Sequence, residues 1–523
     1  MNLFIKLIIK PLRSLLKLLF NRIFYVALAL VVQLAWLLIA LFRIMEYSRW
    51  VTIGMQAIGF LVVLWIVNKK INPSYKLAWT MLILIFPVFG VSLYLLFGKS
   101  RIGTVMEQHY QNLIDETAEY LEGSELTRKR LNEDDRSMRI QSDYIWQYSR
   151  YPVHENTTAE YFQVGDDMFP VLVHELEQAK HFIFIEYFII NDGVMWQTIL
   201  NILEKKAKEG VDVRLIYDGF GCLTTLPYKY DQEMRQRGIK CEVFNRFRPI
   251  LNIIQNNRDH RKICVIDGWT GFTGGINLAD EYINQKLRYG HWKDTAILLK
   301  GEAVWSMTVM FLTMWEYTRD VEEDYRRFRP DKLPPEAAQG AGYYVQPYAD
   351  NPLDEEAVGE AVYLNLINKA ERYVYAMTPY LIISDSVNTA LCNAAKSGVD
   401  VRIITPHIPD KALVFELTRS HYESLLEAGV QIFEYTPGFV HAKVMVTDDC
   451  CGVVGSINLD YRSMFLHFEN GVLLYGTDTV DEIREDFLAT QGRSIQVTAE
   501  ACRSVPLPRK LLRVLLRVFA PLL

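Results

Sequence analysis

One string of residues occurs twice at a fixed offset. His260, Lys262, Asp267, Gly274, Gly275 and Asn277 recur as His441, Lys443, Asp448, Gly455, Ser456 and Asn458, each 181 positions later (441 − 260, 458 − 277). Both copies read His-x-Lys-x4-Asp-x6-Gly-(Gly/Ser)-x-Asn. Six matched positions kept in register restrict the chain to a fold of two similar halves, since each copy needs the same local structure around it. In a strand, residues i and i+2 point to one face, so each His and Lys pair can converge on one point. The apolar residues that follow, 263–266 and 444–446, predict a strand buried beyond its polar end. The Gly-Gly and Gly-Ser pairs allow a backbone to approach a ligand closely, with the Asn277 and Asn458 amides as donors. Each copy reads as half of an anion site.

The flanking segments repeat as well. HFIFIEYFII predicts a buried strand, MWQTILNILEKKAKEG an amphipathic helix ended by Gly210, and VDVRLIYD a further strand. The second half answers with RYVYAMTPYLI, a helix ended by Gly398, and VDVRIITP. The two VDVR segments lie 188 apart (399 − 211), so loop lengths differ while the active string keeps its offset. Alternating strands and helices predict an α/β fold with a mostly parallel or mixed sheet, covered by helices on both faces. A segment rich in Pro, Gly and Ala, 329–352, reads as the linker between a first half at 151–328 and a second at 353–500.

The N-terminal part has another character. Three apolar runs, Ile23 to Phe42, Val51 to Val67 and Leu77 to Phe97, each approach the roughly 20 residues that cross a bilayer, the third interrupted by Pro87 and Gly90. They predict a multi-pass membrane region over 23–97. Residues 1–22, with Lys6, Lys10, Arg13, Lys17 and Arg22 among apolar residues, and the tail 501–523, with Arg509, Lys510, Arg513 and Arg517, both read as basic amphipathic helices on anionic lipid. The charged segment 98–150 reads as a helical connector. Basic residues at the N-terminus and at Lys69, Lys70 and Lys76 favour the cytoplasmic side, but the number of full spans decides where the catalytic part lies, and the charge pattern leaves that side open. The net charge of −6 and pI near 6.0 speak against a nucleic-acid partner. Seven cysteines without paired spacing give no disulfide framework and no cysteine zinc site.

A phosphodiester needs a nucleophile, an acid for the leaving oxygen, and positive charge for the phosphoryl oxygens. Two histidines and two lysines supply these without a metal, a nucleotide or another cofactor. An imidazole titrates near pH 6.5, so one neutral and one protonated ring can coexist near neutrality. His260 is the expected nucleophile and His441 the expected acid and base, with Lys262, Lys443, Asn277, Asn458, Gly275 and Ser456 around the phosphoryl oxygens. Asp267 and Asp448 belong to the motif, though holding its turn is the stronger reading of them.

The chain resembles the phospholipase D superfamily, whose double HKD motif it matches at every position over roughly residues 150–523. With its apolar N-terminus it is most similar to the bacterial cardiolipin synthases of the two-HKD type. The resemblance implies two similar α/β domains about a pseudo-twofold axis, with both motifs meeting in one cleft. It also implies a carboxylate to orient each histidine. In the second half Glu469, 28 residues after His441, holds the family position (469 − 441); the first half has Arg288 there, which leaves Asp294, with Glu281 behind it. The implied reaction transfers a phosphatidyl group from one phosphatidylglycerol to another, in the cell membrane, giving cardiolipin and glycerol. The alternative is a hydrolytic phospholipase D that releases phosphatidic acid; a membrane scaffold is disfavoured because no motif position is lost. The sequence carries no sign of oligomeric state.

Overall fold

The computed structural model describes residues 49–69, 73–97 and 101–522 except 248–255, 334–342 and 355, with isolated positions between 31 and 39. The basic segment 1–22 and most of the first apolar run lie outside the described residues. The chain divides into two compact units, one holding the N-terminal helices and one holding Val105–Arg246 with Asn257–Pro521.

In the N-terminal unit the second apolar run forms the helix Arg49–Asn68, and the third forms two helices, Pro73–Ile85 and Pro87–Phe97. The break follows from the sequence, because Pro87 has no N–H to continue a helix and suits the first turn of a new one. Gly90 has no Cβ; one placed there would lie 2.6 Å from Ile83 Cα, so only glycine permits this approach. The Trp79 and Tyr94 rings then sit 5.2 Å apart, whereas a straight helix would separate them by about 22 Å. The third apolar run, whose interruption by Pro87 and Gly90 the sequence shows, is thus a sharp helical hairpin. No helix among the described residues is long and apolar enough to cross a membrane.

The larger unit holds two sheets. In the first half the strands are β1 (Thr157–Phe162), β2 (Phe182–Tyr187), β3 (Asp212–Asp218), β4 (Lys240–Phe244), β5 (Arg258–Asp259), β6 (Lys262–Ile266), β7 (Thr270–Gly274), β8 (His291–Lys293) and β9 (Ala296–Gly301). In the second they are β10 (Tyr344–Asp350), β11 (Tyr373–Met377), β12 (Asp400–Pro406), β13 (Gln431–Tyr435), β14 (Gly438–Val440), β15 (Val444–Thr447), β16 (Cys451–Gly455), β17 (His467–Tyr475) and β18 (Ser494–Gln496). The first sheet runs β1-β9-β7-β6-β2-β3-β4, and the second runs β10-β17-β16-β15-β11-β12-β13-β18, the same order with one strand added. Each is mixed: β2, β3 and β4 are parallel, like β11, β12 and β13, and the rest of each path is antiparallel.

Strands of this kind read as continuous apolar runs because both faces are covered. Phe184, Ile263 and Val265 point into a core shared with the inward face of the second sheet and with helices Val304–Arg319 and Asp478–Gln491. Their neighbours Ile183, Ile185, Cys264 and Ile266 point outward under helices Gly165–Gln178 and Val194–Lys208. Val358–Lys369 and Asp385–Lys396 cover the second sheet in the same way. The helix Val304–Arg319 is buried on every side from Val304 to Glu316, as an all-round apolar helix must be. Full burial of each such side chain contributes roughly 1.5–3 kcal/mol.

Two expected boundaries move. The segment read as linker includes β10, an edge strand paired only to β17, where Pro347 is tolerated. The segment read as connector is built into the catalytic body: its helices Glu125–Asp134 and Arg136–Ser149 place Leu131 and Ile145 in the core of the second half, and Gln346 Nε2 donates to the Ser142 and Tyr151 carbonyls.

Two short strand pairs cross between the halves. β5, just before His260, pairs with β17, and β14, just before His441, pairs with β8. The edges meet again at His154, whose backbone exchanges two hydrogen bonds with Val345, each 2.9 Å. Its ring is half-buried, with Nε2 3.0 Å from Ser306 Oγ, and desolvation, aided by the Arg329 charge, lowers its pKa to about 4. The unfolded chain therefore binds the extra proton between pH 6.5 and about 4, so stability is present above that window and falls as pH drops through it, by up to about 1.4 kcal/mol per pH unit for this one group. A His154→Gln variant should show a shallower acid decline in its thermal unfolding midpoint between pH 6.5 and 4 than the parent protein.

Candidate active site

Each motif starts where its strand starts. The His260 backbone N–H donates to the Phe468 carbonyl (2.9 Å), and the His441 N–H to the Lys293 carbonyl (2.7 Å). Each imidazole is thus held by the strand of the opposite half, and the orienting carboxylate comes from that same strand. His260 Nδ1 lies 2.9 and 3.0 Å from the two oxygens of Glu469, and His441 Nδ1 lies 2.6 Å from Asp294 Oδ2. The implied pairing within each half is therefore corrected: the two expected carboxylates are exchanged. Glu281, the reserve candidate, instead pairs with Arg288 at 3.1 Å.

The two carboxylates occupy equivalent places. The amide of Gly275 donates to the Thr295 carbonyl, and that of Ser456 to the Asn470 carbonyl, each 2.9 Å, which aligns Asp294 with Glu469. Asp294 lies 34 residues after its motif histidine and Glu469 only 28 (294 − 260, 469 − 441), because the loop after Asn277 is longer in the first half. That insertion is why Arg288 stands at the family offset. Asp is also one methylene shorter than Glu, so its carboxylate lies directly over position 275. A Cβ on Gly275 would collide with it, whereas Ser456 has room to donate its hydroxyl to Glu469 Oε2. Gly275 and Ser456 thus hold the carboxylates, a role different from the expected contact with phosphate.

The asparagines differ in the same sense. Asn277 Oδ1 accepts from the Ile189 amide at 3.0 Å and Nδ2 donates to the Tyr282 hydroxyl at 2.8 Å, so this side chain is largely committed to the fold. Asn458 Oδ1 is buried with no hydrogen-bond partner. Asp267 and Asp448 lie at the far end of their strands, about 16 Å along the chain from the motif lysines. Asp267 accepts from the amides of Lys180, His181 and Phe182, and Asp448 from those of Glu371, Arg372 and Tyr373, all at 2.7–2.9 Å. They tie the start of β2 and β11 to a left-handed turn (φ 52° and 55°) and stand outside the site, which corrects their place among the catalytic residues.

Lys262 and Lys443 are buried, each donating Nζ to the carbonyl of its own motif histidine. Lys443 Nζ also lies 2.7 Å from His441 Nδ1. Burial lowers Lys262 to about 7 and Lys443 to about 8, against the pull of Glu469 and Asp294. It lowers His260 to about 3 and His441 to about 4, the nearby lysines adding to the effect and the carboxylates opposing it. Lys262 acts on both His260 and His441, so the two motifs share one electrostatic site. The expectation of one protonated ring at rest is replaced by two neutral imidazoles, since desolvation disfavours either charged form. Glu469 is held well below the usual carboxylate range by its hydrogen bond from His260 and by the Lys262 charge, although burial opposes this.

His467, which in the sequence reads as a surface or packing residue, and Trp292, which the sequence does not single out, both lie at the site. Each lies two residues before a carboxylate on a strand, hence on its face, and that i, i+2 spacing was the available signal. Trp292 packs on His441 and His467 on His260, both at 5.4 Å between ring centroids. Below the site Arg261 is buried between Glu186 at 2.7 Å and Asp259 at 3.2 Å, a paired charge cluster that anchors the segment preceding Lys262.

A paired-histidine site on a duplicated mixed sheet defines a two-domain phosphodiester-transfer fold, and comparison with known proteins gives its family. The model described as "Cardiolipin synthase, PLD-like domain" matches residues 172–315 and 363–490, and that described as "Phospholipase_D-nuclease N-terminal" matches 57–99. A cardiolipin synthase of Halalkalibacterium halodurans is 33% identical over 91% of this chain and 94% of its own length. Cardiolipin synthase 2 of Bacillus cereus is 34% identical over 89% and 90%. The crystal structure of a phosphatidylserine synthase from Haemophilus influenzae shares the fold, with a TM-score of 0.52 at 16% identity over 70% of this chain and 93% of that one. The chain belongs to the PLD-like cardiolipin synthase family. It is an enzyme of phosphatidyl transfer.

Two substitutions test this geometry. Gly275→Ala, which displaces Asp294 without touching either histidine, should lower kcat about a hundredfold; a parental kcat would mean that Asp294 does not orient His441. Lys262→Met keeps the volume but leaves Glu469 and Asp294 buried with one lysine between them, so turnover should be lost and stability should fall, by roughly 3–5 kcal/mol in unfolding free energy.

Proposed function

We propose that this protein makes cardiolipin from two molecules of phosphatidylglycerol through a phosphatidyl-histidine on His260. The observation that carries the reading is the pair of buried motif imidazoles, each with a carboxylate of the other half at Nδ1. The two oxygens of Glu469 at His260 Nδ1 favour the proton there, which leaves the Nε2 lone pair for phosphorus. His441 Nδ1 lies 2.6 Å from Asp294 Oδ2, which holds a proton at Nδ1, so the second proton that His441 takes up sits on Nε2, where a leaving oxygen can take it.

In the first step His260 Nε2 bonds to phosphorus, the bond from phosphorus to the glycerol oxygen breaks, and that oxygen takes the His441 proton. In the second a hydroxyl of another phosphatidylglycerol gives its proton to His441 and attacks phosphorus, and the P–N bond breaks to return His260. Lys262 and Lys443 offset the charge on the phosphoryl oxygens. The anionic phosphodiester raises the depressed imidazole pKa on binding, so His441 can hold a proton when it is needed. Asn458, with its buried oxygen unpartnered, is the better placed of the two asparagines to meet substrate.

A membrane setting is part of the proposal. The tail helix Leu507–Phe519 is fastened by its polar face, Arg509 and Arg513 both pairing with Glu416, while Leu507, Leu511, Val514 and Leu515 are 57–69% exposed. An amphipathic helix that turns its apolar face away from the protein suits a lipid surface. The expected multi-pass topology and its orientation belong to the same proposal.

The test is mass spectrometry of lipids after the purified enzyme is incubated with phosphatidylglycerol alone. Cardiolipin and glycerol should form in equal amounts and be absent with His260→Ala. Phosphatidic acid with glycerol would make the enzyme a hydrolase, and a trapped phosphoryl label on His441 would reverse the two histidine roles.

A further inference from the structure

The two halves are alike except for what covers each imidazole. At His441 the cover is an indole, that of Trp292; at His260 it is a third imidazole, that of His467. His467 is 9% exposed, and neither of its ring nitrogens has a hydrogen-bond partner. Glu469 Oε1 lies 3.7 Å from its Nδ1, within ion-pair reach but beyond hydrogen-bonding range. Buried polar atoms in a folded protein are nearly always paired, so an unpaired imidazole aimed into a site points to a ligand.

One ligand atom from each of His260, His467 and Glu469 lies within 4.8 Å of the others, the single such group among the described residues. Two imidazoles and a carboxylate with a fourth position left open form a donor set for tetrahedral zinc. Imidazole suits zinc and its first-row neighbours, whereas magnesium and calcium prefer oxygen ligands. Asp294 and Glu469 balance Lys262 and Lys443, so the arriving cation does not meet a net positive site. In the other half Trp292 leaves only His441 and Asp294 as donors, too few for such a site.

We propose that His260, His467 and Glu469 bind one divalent transition metal ion of the zinc type, and that its binding switches the enzyme off. The switch follows from the imidazole itself and rests on His260 being the nucleophile. Metal on Nε2 takes the attacking lone pair, and metal on Nδ1 leaves the proton on Nε2; either way phosphorus cannot be attacked. Glu469 is diverted in the same event.

The experiment uses the purified full chain without lipid, titrated with Co2+ as a spectroscopic probe and then with Zn2+. One equivalent of Co2+ should give the visible absorption of a four-coordinate ion, and Zn2+ should displace it. His467→Asn should weaken binding by at least about a hundredfold, the upper end of what loss of a merely supporting contact costs. Trp292→His should add a second equivalent. Cardiolipin formation by the parent enzyme should fall with Zn2+ and return with a chelator, and His467→Asn should resist Zn2+ in proportion to its weakened binding. Absence of saturable binding, or equal affinity and equal inhibition in His467→Asn, would overturn the proposal. Binding is read without substrate, so a metal-free enzyme that makes no cardiolipin would count against the functional reading alone.

Discussion

The structure depends on one exchange: each motif imidazole is held by a carboxylate of the other half. Glu469 meets His260 and Asp294 meets His441, and the strand pairs β5 with β17 and β14 with β8 bring the backbones into line for it. Neither half has a complete histidine and carboxylate pair by itself. Duplication here is thus more than two copies of a site, because the site exists only when the halves are together. The shared apolar core and the buried helix Val304–Arg319 keep the register that the exchange requires.

Placing two lysines, two carboxylates and two histidines in a nearly closed site is costly for folding, since each charge leaves water. Burial pushes both lysines and both imidazoles toward their neutral forms, and the carboxylates resist this. The result is a charge-balanced site whose two buried lysines stand ready for the oxygens of a phosphodiester. Donors and charges are oriented before substrate arrives, and water is largely kept out, which favours transfer to a lipid hydroxyl over hydrolysis. Strong local pairs elsewhere, such as Arg261 with Glu186, secure the strands that carry this arrangement.

Much of the fold was legible because its causes are local. Strands buried on both faces must read as apolar runs, and helices ended by Gly210 and Gly398 use the left-handed backbone that glycine permits (φ 94° and 96°). The errors also have local causes. Pro347 and its glycine-rich surroundings disguised β10, and charge disguised the packing of the connector helices, whose few apolar residues, such as Tyr110, Leu131 and Ile145, enter the cores of the catalytic body. In the third apolar run Pro87 and Gly90, visible in the sequence, mark where the helix breaks, but how far the chain folds back there is set by the packing at Gly90.

By itself the sequence determined the duplicated α/β architecture, the two His and Lys pairs and the class of chemistry, because repetition, strand periodicity and side-chain type are properties of neighbours along the chain. Tertiary structure decided which partner each residue takes. It exchanged Glu469 and Asp294 between halves, turned Gly275 and Ser456 toward carboxylates, and sent Asp267 and Asp448 to the far ends of their strands. It also put His467 and Trp292 against the imidazoles. The two exchanged pairs join residues 209 and 147 positions apart across two sheets. Spacing in sequence holds no information about them until strand pairing between the halves has set the geometry.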